Sequence, residues 1–152
     1  MSKLAITALL LWLVTAIGAG VIFMRGVTAP SSDGRTAILL APAERDFVLG
    51  EMRQMLISVQ RMSAALAEGD NAKVAEAARA ASNHEGHEPP LTLMAKLPME
   101  FKQTGMAMHG GFAELAEAAD KKAPVATLQG KLADQLNACV GCHESYRIDP
   151  AK

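Results

Sequence analysis

From Leu4 to Met24 the chain reads "LAITALLLWLVTAIGAGVIFM" without one charged side chain, and no other stretch restricts the fold as much. At about 1.5 Å per residue a helix of this length spans about 30 Å, the hydrocarbon thickness of a bilayer. In lipid a lone segment has to satisfy its own backbone, which leaves the α-helix as its conformation. A cleaved export signal is the rival reading, since Lys3 supplies a positive start and Val27-Thr28-Ala29 resembles a small-residue cleavage site. The run exceeds the usual signal core of about 7–15 residues, and Pro30 directly behind the site would obstruct a peptidase. Residues 4–24 are therefore expected to form an uncleaved transmembrane anchor, with the remainder exported. Lys3 and Arg25 nearly cancel under the positive-inside rule, so they do not set the orientation.

The remaining length suits one domain with a real core. A net charge of -1 over 152 residues offers no basic field for nucleic acid. Half of the residues are hydrophobic but only 4% are aromatic; the excess of Ala, Leu and Met favours helices over strands. Residues 25–42 mix Pro, Gly and Ser with a short apolar patch and read as a linker. Pro42 then suits the first turn of a helix whose stripe is Val48, Met52, Met55, Val59, Met62 and Leu66. Asp70 or Asn71 caps a second helix through "AKVAEAARAAS". A long connection, "NHEGHEPPLTLMAKLP", has room for one helical turn. A third helix from Pro98 carries Phe101, Gly105, Met108, Phe112, Leu115 and Ala119. A fourth, opened by Pro124, carries Leu128, Leu132, Leu136, Cys139, His143 and Tyr146. The expected architecture is all-α, an antiparallel four-helix bundle over residues 43–149 behind the N-terminal transmembrane helix, with no strand.

The only two cysteines fall in "CVGCHESYR", residues 139–147. A structural zinc site needs four ligands, and here His84, His87 or His109 would have to complete it. A thioredoxin-like pair belongs at a helix start in a βαβ setting, whereas this pair lies late in a helical pattern. A disulfide between residues three apart on one helix is badly placed and leaves His143 unused. Covalent haem uses all three residues. Cys139 and Cys142, one turn apart, can both form thioethers to one porphyrin edge, and His143 can offer its imidazole to the iron. Lying on the core stripe, His143 is expected to be buried. Arg147, near the expected helix end, can reach a haem propionate or complement the helix dipole.

Near the end of a four-helix pattern, this string resembles the class II c-type cytochromes, cytochrome c′ and the related low-spin bundle cytochromes. The resemblance covers residues 43–149, and Cys139 to Arg147 is its specific part. It implies one covalent haem c per chain, lodged where the first bundle helix begins and the fourth ends. A residue of the first helix then faces the far side of the iron. A Met there gives six-coordinate iron that carries electrons; an apolar residue leaves five-coordinate iron that binds NO or CO. Met52 is expected in that place, with Met55 and His109 as competitors, although Met at helical spacing also fills irregular core and His109 reads first as a structural or surface histidine. Arg53 lies close to where the family often carries a basic residue beside the haem. The expected iron ligands are thus His143 and Met52, and the expected haem contacts Cys139, Cys142, Arg147 and Arg53. Gly110 and Gly111 point to a close approach by backbone or cofactor, or to a break. No Ser-His-Asp set, paired catalytic carboxylates or phosphate loop is recognisable, so no enzyme activity is expected. These features imply an electron carrier on the outer, periplasmic face of the cytoplasmic membrane, where haem attachment takes place. It would serve redox partner proteins, and bundle faces that pair readily allow a homodimer.

Overall fold

The computed structural model describes residues 2–83 and 88–151, so His84 and His87 lie outside the described residues. Helix α1 (Lys3–Arg25) starts on Ser2, whose hydroxyl accepts from the Ala5 amide at 3.2 Å. It is long and apolar enough to cross a membrane, and none of its residues is buried by the rest of the protein.

Helix α2 (Pro42–Glu68) opens with proline in its first turn, and Glu44 reaches back to accept from the Ala41 amide at 2.9 Å. It stops at Gly69, whose φ of +68° is left-handed. Asp70 caps α3 (Asn71–Ser82) by accepting from the Lys73 amide at 3.1 Å. The long connection holds one short helix, α4 (Leu91–Lys96). Helices α5 (Met99–Asp120) and α6 (Val125–Ser145) start directly behind Pro98 and Pro124.

Neighbour packs on neighbour: α2 on α3, α3 on α5, α5 on α6, while α6 meets α2 only sparsely. Met62, Phe112, Leu115 and Leu128 are completely buried in the main core, and α3 contributes mostly alanines to it, among them Ala75 and Ala78. Small side chains let α3 approach α2 and α5 closely. A second core gathers Ile38, Leu40, Val48, Leu93 and Leu97.

That second core rests on a sheet that the all-α expectation, with residues 25–42 as a linker, omits. Strand β1 (Thr28–Pro30) pairs antiparallel with β2 (Thr36–Leu40), and β2 pairs parallel with β3 (Tyr146–Pro150), Thr36 opposite Tyr146. Ile38 and Leu40 of β2 have no exposure at all. Five residues, "TAILL", are too few to display a period, and a short apolar run reads equally as buried strand or buried helix. Its partner β3 also stands far away in sequence. The turn between β1 and β2 uses Asp33-Gly34, with Gly34 at a φ of +84°. At the other end, α6 stops at Ser145 because Tyr146 is extended, with φ −126° and ψ 153°.

Between α1 and the sheet there is no slack. Gly26, at a φ of +67°, lies on the backbone of Lys96, Leu97 and Pro98, where an added Cβ would collide with main-chain atoms. The Val27 amide donates to the Lys96 carbonyl at 2.7 Å.

Candidate functional site

The end of α6 opens on a cleft of about 110 Å³. Leu49 and Met52 of α2, Phe101 of α5, Cys142 and His143 of α6, and Tyr146 and Ile148 of β3 line it. Of the expected site residues, three therefore meet in one opening: Met52, Cys142 and His143. Met55 turns away into the Met62–Phe112 core, as a step of three residues on a helix permits.

The two thiols are free and partly buried. Cys142 faces the cleft, whereas the Cys139 thiol donates to the Met108 sulfur at 3.6 Å, on the α5 side. Burial raises the pKa of both thiols, and for Cys142 the neighbouring Cys139 adds to the rise. That is the opposite of a nucleophilic redox pair, whose thiolate is stabilised. Among the described residues no group of three or more His, Cys, Asp or Glu side chains converges on a metal-sized point.

Tyr146 closes one side of the cleft. Its ring meets Phe101 edge-on, with centroids 5.6 Å apart, and its hydroxyl donates to Glu100 at 3.1 Å. Burial, then the Glu100 carboxylate, pushes the phenol pKa up.

Several expectations need correcting. His143 is exposed rather than buried: Leu128 and Leu132 of its stripe are buried, but Leu136 is 41% exposed because α2 covers this side of α6 only sparsely. Arg147 is not at a helix end. It belongs to β3 and pairs with Asp149 at 2.9 Å and Asp33 at 3.1 Å, with Ser31 accepting at 3.3 Å. Arg53 is exposed on α2 and does not line the cleft. His109, by contrast, is the structural histidine expected: it shares a hydrogen bond of 2.8 Å with the Ala81 carbonyl, tying α5 to the end of α3. At Gly111 the close approach is a side chain: the Gln135 amide of α6 occupies the place of a Cβ, while Gly110 faces open space.

Arg35 is the participant that sequence reasoning misses. Its Nη1 donates to the His143 carbonyl at 3.2 Å and the Tyr146 carbonyl at 3.4 Å, satisfying acceptors that the end of α6 leaves open. Asp33 accepts from its Nε at 3.0 Å and its Nη2 at 2.7 Å. Those hydrogen bonds hold the Asp33 carboxyl far below the usual range. The Asp-Gly turn was the available signal: it marks a hairpin, and hence a strand beginning just after Arg35, at Thr36. Comparison of the chain with protein-family models, with curated proteins and with solved structures yields no match.

Proposed function

We propose that the protein is a membrane-anchored c-type haem protein carrying single electrons, an antiparallel four-helix bundle of the class II cytochrome kind, on the periplasmic face of the cytoplasmic membrane. The observation that carries the reading is the meeting of Met52 with Cys142 and His143 in one cleft, from helices far apart in sequence. Imidazole and thioether are the donor pair of a low-spin, electron-carrying haem iron.

The residues fit such a group in chemistry. Cys142 and, after a turn of its side chain away from Met108, Cys139 would carry the thioethers; His143 and Met52 would hold the iron through imidazole and thioether. An organic ligand fills roughly 300 Å³ or more, so the cleft has to widen. The α2–α6 seam next to it is packed only sparsely, with Leu136 41% and Val140 55% exposed, and is where such widening would meet least packing. Bound haem supplies a one-electron couple. The chain supplies its electronic setting: Phe101, Tyr146 and Ile148 keep the surroundings apolar, and Arg35 fixes the backbone beside His143.

The test is export-competent expression of the full chain. A red protein that keeps its haem after denaturation, with a low-spin spectrum, is expected. Met52→Ala should convert it to a carbon monoxide-binding, high-spin form, and Met55→Ala should not. A colourless protein ends the haem reading. A high-spin, gas-binding wild type would instead assign it to capture or sensing of NO or CO.

A further inference from the structure

We infer that the end of the protein carrying the Met52–His143 cleft is seated on the membrane, with α4 and the first turn of α5 in the phospholipid headgroup layer. This rests on the reading of α1 as a membrane span. Lys102 of α5 carries the argument. Its side chain is only 6% exposed, yet its ammonium donates to the Phe23 carbonyl at 3.1 Å and the Met94 carbonyl at 3.2 Å. It also stands 3.6 Å from the centroid of the Phe23 ring.

Phe23 lies inside the uncharged run. That run only just matches the hydrocarbon thickness, so its last turn sits at the boundary with the headgroups. A residue bound to Phe23 is therefore within about one helical turn, some 5 Å, of that boundary. Flexibility in the connection does not undo this, because Gly26 packs on the Lys96–Pro98 backbone and Val27 bonds to Lys96. The anchor is a strut, fixed at two points.

The surface around the strut suits lipid. Leu91 of α4 is 89% exposed on a helix that packs against α1, and an apolar side chain there can enter the boundary layer. Arg25 ends α1 with a cation, favourable beside anionic headgroups. The cleft follows directly, since Phe101, which lines it, is the neighbour of Lys102 in α5.

Fluorescence quenching in vesicles tests the seating. The full chain is placed in phosphatidylcholine–phosphatidylglycerol vesicles, with or without lipids brominated near the carbonyl end of their acyl chains to read Leu91→Trp and Lys121→Trp, or near the methyl end to read Trp12, which lies mid-way along α1. Trp12 is the sole tryptophan, so the wild type reports on α1 itself. In a Trp12→Phe background, Leu91→Trp should lose emission on bromination, and Lys121→Trp, at the opposite end of α5, should not. Adding Gly26→Val to Leu91→Trp should restore its emission. Equal emission from Leu91→Trp with and without bromine, while Trp12 is quenched, overturns the seating and leaves the anchor standing. An unquenched Trp12 overturns both.

Discussion

Arg35 shows how one side chain holds the candidate site without touching its opening. Helix α6 ends with carbonyls that have no intrahelical partner, and the Arg35 guanidinium accepts that role for His143 and Tyr146 while Asp33 pins the fork from behind. Arg35→Gln should cost about 1 kcal/mol, as for a partly exposed hydrogen-bonded cation, read as a lower urea midpoint with an unchanged slope. Arg35→Lys keeps the charge but loses the fork geometry, so it should fall between. At this scale sequence was informative where chemistry is written in residue type: Cys142, His143 and Met52 do share one cleft. It was silent on direction. Whether Cys139 looks toward the cleft or toward Met108 depends on a rotation about α6 that only the packing partner α5 decides.

Among the elements, two glycines that look alike in sequence behave differently in the fold. At Gly26 a Cβ meets the main chain of Lys96–Pro98 and the φ is left-handed, so Gly26→Ala should cost more than about 2 kcal/mol. At Gly111 it meets only the movable end of Gln135. Gly111→Ala should therefore be near neutral, the Gln135 shift offset by about 1 kcal/mol of helix propensity; thermal melts of the two variants decide it. Glu44 joins α2 to α4, accepting from Lys96 Nζ at 2.8 and 2.7 Å. The Lys96 hydrogen bond first, and the Ala41 amide besides, lower its pKa from the ordinary 4.5. A depressed carboxyl stabilises the fold above its unfolded pKa, and the contribution disappears as pH falls through the folded value. Wild type should thus melt above Glu44→Gln at pH 7, with the gap closing below about pH 4.5. Helix starts were legible because Pro42, Asp70, Pro98 and Pro124 are local signals. The sheet was not, because β2 has meaning only beside β3.

Taken whole, the molecule joins parts far apart in sequence beside the candidate site: Arg35 reaches across 108 positions to His143. Closing so long a loop is inexpensive at equilibrium, since each doubling of length costs about 0.6 kcal/mol. In time it is expensive, because non-local pairings form after local helices. Pairing of the strand that locks the end of α6 should then be the slow step of assembly. Tyr146, the sole tyrosine, reports the event. On refolding, its fluorescence should change in a phase later than the recovery of helical circular dichroism, and a single shared phase would show that sheet and helices close together.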